Sequence, residues 1–413
     1  MNATDAGGKT ALLHLTHSSI DDSDSAVLKE LVAAGADVNA ADANGQTILI
    51  LLAEGKHSAL IRTALELGAR ASAIDQSGKT ALIYALTAED PLPPNLIKAL
   101  ISAGADVNQA NSMHQTPLML AVYRHPLETV RMLLEAGAAV NVKDKRGRTA
   151  LMFAISAPTE IVDALIAAKA NVDDVDEWGQ TALMFASHTK FLNTIERLLV
   201  AGASVDIKDR IEGKTALLHA ANESLIATSG VVQKLITAGA NVNEVDARGQ
   251  TALMLAASTG ALDSVLILLK AGAKLNVKDI DGKTPLMFAV WPSKDSTPDI
   301  VRTLIKAGAR VNDVDMKGES ALMIAAKYAS TDILQVLVAA RAKLDATNNQ
   351  GQTALMVAIQ SSRPWKLENV RFLLKSGANV NIKDNENITA LELAKKLGES
   401  EIVTLLEEAQ TRR

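Results

Sequence analysis

Apolar residues come in paired bursts along this chain, and the pair recurs from end to end. In residues 246–277, Thr251-Ala252-Leu253-Met254-Leu255-Ala256-Ala257 is a nearly unbroken apolar run behind a threonine. After Gly260, Leu262, Val265, Leu266, Leu268 and Leu269 fall at helical spacing. The first run predicts a short buried helix. Thr251 predicts its N-cap, because its hydroxyl can accept from an unpaired N–H of the first turn. The second run predicts a longer helix that ends at Gly272 in a left-handed C-cap. Between successive pairs lie polar stretches such as Asp246-Ala247-Arg248-Gly249-Gln250, which predict a tight turn.

The threonine (once a serine) opens this phrase at positions 10, 47, 80, 116, 149, 181, 215, 251, 284, 320, 353 and 389. Neighbouring openers are 37, 33, 36, 33, 32, 34, 36, 33, 36, 33 and 36 residues apart. A period of this size means stacked supersecondary repeats rather than one globular core. Twelve repeats are expected, starting near residues 5, 42, 75, 111, 144, 176, 209, 246, 279, 315, 348 and 384, in a single array over residues 1–413. A second period is visible, since 47 to 116, 215 to 284 and 320 to 389 are each 69 residues. Duplication of a two-repeat block explains it. The extra residues of the long repeats, as in 89–95, 291–294 and 361–365, are rich in Pro and Ser. They are expected as loops between the two helices, on the edge away from the turns.

The phrase resembles the ankyrin repeat, whose signature is Thr-Pro-Leu-His-x-Ala in a helix–turn–helix repeat with a β-turn. The turn Gly, the Thr, the Leu, the small Ala and the helix-ending Gly-Ala recur in phase over nearly the whole chain. Two repeats keep the signature proline, at Pro117 and Pro285. The signature histidine is missing throughout, and Met119, Met152, Met184, Met254, Met287, Met323 and Met356 stand in its place. That exchange is expected to give up a hydrogen bond and add apolar packing by a polarizable side chain. The resemblance implies an all-α ankyrin-repeat solenoid with short β-turn fingers. The uniformity of the repeats is more similar to bacterial ankyrin proteins than to animal scaffolds.

Composition narrows the chemistry. Zero cysteines exclude disulfides, zinc–thiolate sites and thiol catalysis. A net charge of −5 argues against a general nucleic-acid binder. No apolar run is long enough to span a membrane. Residues 1–15 show no charged segment followed by an apolar stretch, so either no signal peptide exists or it has been removed, and a soluble cytoplasmic or periplasmic protein is expected. Gly-Lys-Thr occurs four times, ending at Thr10, Thr80, Thr215 and Thr284. A phosphate-binding loop needs a further glycine five positions earlier, and those positions hold Ala3, Ala73, Lys208 and Val277. The seven histidines never form His-Glu-x-x-His. His14 and His219 sit in first helices, where packing or a local hydrogen bond is expected. The turn carboxylates, such as Asp144, Asp176, Asp246 and Asp279, are expected to cap their own turns. The methionine row reads as core, not as a copper or cofactor site. No metal and no cofactor are expected.

In a solenoid of this kind the fingers and the exposed side of the first helix line a concave binding face. Most positions there are small or polar. The exceptions are Tyr123 and Arg124 after the fourth first helix, Lys145, Arg146 and Arg148 in the fifth finger, and Trp178 in the sixth. Arg210, Ile211 and Glu212 make a seventh finger one residue longer than its neighbours. Trp291, Lys327 and Tyr328 follow the ninth and tenth first helices. Trp, Tyr and Arg dominate interface energetics. Tyr123, Arg124, Arg146, Arg148, Trp178, Trp291 and Tyr328 are therefore the expected partner-binding residues. Two alternatives stand beside this: Trp178 packs on the neighbouring finger, and the arginines pair with Asp144, Asp176 or Glu177.

The expected function is non-catalytic binding of a protein partner, as inhibitor, immunity protein or regulator of an enzyme. A secreted effector and an enzyme with its site on the fingers are the alternatives. The unbound protein is expected to be a monomer.

Overall fold

A computed structural model describes residues 2–17, 24–88, 92–222, 228–291 and 298–411. Among them are twenty-four α-helices, two short 3-10 helices and no strand, only isolated antiparallel bridges such as Val245 with Thr251. The helices alternate, short first helix then second helix, in twelve pairs: an all-α repeat solenoid. The chain divides into two compact units, Met1–Ala186 with Asn193–Ser204, and Ser187–Leu192 with Val205–Arg413.

The repeat that opens at Asp246 shows why this sequence folds as it does. The Thr251 hydroxyl accepts from the Met254 N–H at 3.3 Å and caps Ala252–Thr259. Ala252 through Ala257 are all buried, because the helix packs on its own second helix and on the first helices before and after it. In the second helix, Leu262–Lys270, Val265 and Leu268 are buried. Leu266 is 48 % exposed, although it falls within the apolar run of this helix. It lies one residue past Val265, and that step turns a helix by about a quarter circle away from the neighbours.

The fingers are built on their first residue. Asp246 Oδ1 accepts from the N–H groups of Arg248 and Gln250, both at 2.8 Å. The Gly249 N–H donates to the Asp246 carbonyl at 3.0 Å. Successive fingers then join edge to edge: Ala247 N–H donates to Glu212 at 2.7 Å, and Ile280 N–H to Arg248 at 2.9 Å. Asp246 is buried, as are Asp144, Asp176 and Asp279. The turn carboxylates therefore cap their turns, as expected. At the far edge, Asn243 Oδ1 accepts from the Lys274 N–H at 2.7 Å and ties one repeat to the next.

Three local rules bend. In two repeats the methionine does more than pack, because the sulfurs of Met254 and Met287 accept the capping threonine's own N–H at 3.5 and 3.4 Å. In the last repeat Glu392 takes that role with a carboxylate. Thr149 does not cap: its hydroxyl is buried without a partner, and Ala150–Phe153 tightens into the 3-10 turn Ala154–Ser156. The loop 361–365 lies between Ala354–Ile359 and Lys366–Lys375 as expected, whereas residues 89–91 and 292–294 of the other two loops lie outside the described residues. The last helix, Ser400–Thr411, buries Ile402 and Leu406, leaves Val403 and Leu405 half-buried and exposes Glu407 and Glu408.

Two second helices end on a long side chain instead of glycine. Lys169 and Arg341 hold φ of 68° and 64°. Their neighbours still close the cap, with Ala170 N–H on the Leu165 carbonyl and Ala342 N–H on the Leu337 carbonyl, both at 3.0 Å. At the equivalent Gly272 a Cβ would touch nothing, so the strain at Lys169 and Arg341 is conformational and not steric. Lys169→Gly and Arg341→Gly are each expected to raise stability by roughly 1–2 kcal/mol. Urea denaturation midpoints check this, and a lower midpoint in both variants contradicts it.

Candidate functional site

Four residues after the threonine or serine that opens a repeat, the first helix presents one side chain to the finger side, His14 in the first repeat being exposed. In the first compact unit this row reads Leu51, Tyr84, Leu120, Phe153 and Phe185, all half-buried. In the second unit the same register holds buried Leu255, Ile324, Val357 and Leu393, and half-buried His219 and Phe288. The residue just before the threonine lies over the row. Lys79 Nζ sits 4.7 Å from the Tyr84 ring centre, and the Arg148 guanidinium 4.4 Å from that of Phe153. Such cation–ring contacts contribute about 0.5–1 kcal/mol when exposed.

The second carboxylate oxygen of the finger aspartate locks these groups. Tyr84 Oη donates to Asp75 Oδ2 at 2.8 Å. Burial, and then the Asp75 carboxylate, push the Tyr84 phenol up to about 12, so it remains a donor. Arg148 donates to Asp144 Oδ2 from Nε at 3.0 Å and from Nη2 at 2.9 Å. His219 Nε2 lies 2.7 Å from Asp209 Oδ2 and His14 Nε2 2.9 Å from Asp5 Oδ2, the local hydrogen bonds expected of them. Asp42 and Asp176 have no such donor, and their Oδ2 atoms are buried without a partner.

Beside Phe153 the row opens into a hollow of about 260 Å³ between the third, fourth and fifth first helices. Leu86, Met119 and Leu120 form its apolar lining, Tyr123 and Phe153 stand at its sides, and Arg124 and Gln115 supply polar groups. Tyr123 is 60 % exposed, with the Arg124 guanidinium 5.7 Å from its ring centre. A larger hollow of about 610 Å³ lies between the second helices, lined by Ala164, Ala167 and Ala168 with Arg131, Glu135, Glu160 and Asp163. It is a groove left by small residues and lined by charges of both signs.

Of the residues singled out from sequence, Tyr123, Arg124 and Arg148 gather around Phe153 and the smaller hollow. Trp178 is half-buried, with the Arg146 guanidinium of the preceding finger 5.7 Å from its ring centre. Trp291 and Tyr328 form a separate cluster in the second unit, ring centres 5.1 Å apart, with Lys283 over Trp291 and Lys327 over Tyr328. The seventh finger is one residue longer, closed by Asp209 N–H on the Lys214 carbonyl at 3.0 Å, and Ile211 stands exposed on it. Sequence reasoning missed Phe153 and Leu120, which an aromatic-rich register four residues after the threonine signals. It also missed Ile280 and Met316, exposed on adjacent fingers.

The family model for ankyrin repeats, built on three copies, matches residues 13–109, 88–176, 157–228, 224–315, 292–384 and 322–412. The chain belongs to the ankyrin-repeat family. Ankyrin repeats are in general protein–protein interaction modules and are typically non-catalytic. No helix among the described residues is long and apolar enough to cross a membrane. Among the same residues no three His, Asp or Glu side chains gather as metal ligands would. Each Gly-Lys-Thr phrase serves its ankyrin finger: Lys283 N–H bonds Asp279 Oδ1 at 2.8 Å, and Thr284 caps the helix.

Two array histidines couple stability to pH. Burial pushes His219 below its ordinary value of 6.5, and the Asp209 contact only partly opposes this. Burial likewise lowers His125, whose Nε2 donates to the Leu86 carbonyl at 3.1 Å while Nδ1 is buried without a partner. The fold favours the neutral form of both, so the unfolded chain takes up more protons as pH falls through 6.5. Their contribution is full above 6.5 and is lost as pH falls through the lowered folded values. Melting temperature should drop as pH falls below 6.5, and less steeply in the His125→Gln, His219→Gln double variant. An identical slope in both proteins refutes the assignment.

Proposed function

We propose that this protein binds a protein partner through the finger side of its first compact unit, anchored by Tyr123, Arg124, Arg146 and Trp178, with Arg148 holding Phe153 in place. The observation that carries the reading is the exposed Tyr123 beside Arg124 and a preformed apolar hollow. A large exposed aromatic ring at the mouth of an apolar recess has no folding role, and interface hot spots are aromatic or arginine side chains set in such recesses. The family's general role supports it. The finer reading is an inhibitor, immunity protein or regulator that covers part of an enzyme. A rigid binding face that adds no chemistry of its own suits that role.

The test is capture of the partner by the purified protein, followed by calorimetry with Tyr123→Ala, Trp178→Ala and Trp291→Ala. Loss of affinity in the first two but not the third supports the reading. Unchanged affinity in the first two moves the site to Trp291 and Tyr328.

A further inference from the structure

The hollow beside Phe153 has chemistry that narrows what enters it. Its volume of about 260 Å³ falls below the roughly 300–1,000 Å³ of small-molecule sites and suits one large side chain. Its lining is apolar apart from Thr87, Gln115 and Arg124, and no Asp or Glu contributes. The charges around it run against the whole chain, whose 47 acidic side chains outnumber 42 basic ones. Arg148 is neutralised by Asp144 at 2.9 Å. Arg124 and Arg146 have only ring contacts, and among the described residues neither they nor Lys145 has a carboxylate partner. Glu177, on the next finger, is the one acidic tip beside them. One unpaired cation, Arg124, thus lines the apolar recess, and two more, Lys145 and Arg146, stand on the finger of the next repeat.

We propose that the recess takes one large apolar side chain of a linear acidic segment of the partner, and that Arg124 binds a carboxylate next to it. This rests on the proposed protein-binding role and adds the chemistry of the partner. Guanidinium groups favour carboxylates because two N–H donors match two oxygens. The spacing follows from the stack. Helices in contact lie about 8–10 Å apart, and an extended chain rises about 3.3 Å per residue, so roughly three residues of the segment pass each repeat. A second acidic residue about three to six positions from the apolar one then reaches Lys145 and Arg146.

The test is selection of short random linear peptides displayed on phage, panned against the full chain. The enriched sequences should carry Phe, Leu, Met or Trp with Asp or Glu within about three residues. The labelled consensus peptide, read by fluorescence anisotropy, should bind Phe153→Ala and Arg124→Glu about tenfold more weakly or worse. Arg124 is exposed, so Arg124→Glu keeps the test decisive should Phe153→Ala fold poorly. A peptide with Lys in place of its acidic residue should recover affinity for Arg124→Glu, which a purely structural effect would not produce. No enrichment, neutral or basic consensus peptides, or binding indifferent to Arg124→Glu overturns the inference. If the captured protein partner still depends on Tyr123 and Trp178 in that case, the protein-binding role stands while the linear acidic segment falls.

Discussion

Gly282→Ala will destabilise the array by about 2–5 kcal/mol, the sum of two separable costs. Gly282 has φ of 80°, and an L-residue held there costs about 1–2 kcal/mol. Its Cβ would also stand 2.9 Å from Met316 N and 3.1 Å from Asp315 C, backbone atoms of the next finger. Met316 N–H donates to the Asp281 carbonyl at 2.8 Å, so relieving the clash breaks the join between fingers. Overpacking of this kind costs typically 1–3 kcal/mol. Gly78→Ala is the control, because φ there is 76° but the nearest atom lies 3.6 Å away. It should lose the conformational cost alone. Array stability sums repeat and nearest-neighbour terms, so hydrogen exchange at the Met316 amide should report the loss locally, alongside the urea midpoint. Equal losses in the two variants would show that close approach is not what selects glycine at 282.

The fold was legible because each repeat states its structure several times over. The threonine, the apolar runs, the turn Asp and the helix-ending Gly all agree, and agreement across levels is what specifies a fold. Even the departures were readable: Lys169 and Arg341 replace glycine and do sit in the left-handed region. His114 and Asn387 take the finger glycine's place with φ of 58° and 61°, which the sequence reading did not single out. Less legible was anything that depends on a neighbouring repeat. Leu266 matches helical spacing, yet the partner that would bury it is absent on that side. Thr149 looks like every other cap, but its helix tightens and leaves the hydroxyl stranded. The candidate site was half visible. Tyr123 and Arg124 stood out as large residues among small ones, and Tyr123 is exposed. Phe153 hid inside a phrase that elsewhere encodes core, and only the stack shows that its register is half-open at Phe153 and Phe288 while it is closed at Leu255 and Ile324.

Trp178→Ala should weaken partner binding by roughly 2 kcal/mol or more, as buried interface anchors do. Trp178 is half-buried against its own array, so the partner covers an already ordered ring and loses little side-chain freedom in doing so. Arg146→Ala should cost less. Its guanidinium is exposed, and the loss should shrink with added salt, because a rim charge acts through a screened field. The two effects should not add. Arg146 lies 5.7 Å from the Trp178 ring centre, so removing the ring also releases the guanidinium that rests on it. A double-mutant cycle should therefore give a coupling of about 0.5–1 kcal/mol, the scale of an exposed cation–ring contact. Folding should survive, since the finger is held by backbone and by Asp176 Oδ1, which accepts from the N–H groups of residues 178 and 180 at 2.9 and 2.8 Å whatever side chain residue 178 carries. Circular dichroism checks that, and calorimetry with the captured partner at low and high salt checks the rest. Unchanged affinity in the double variant would remove the finger from the interface.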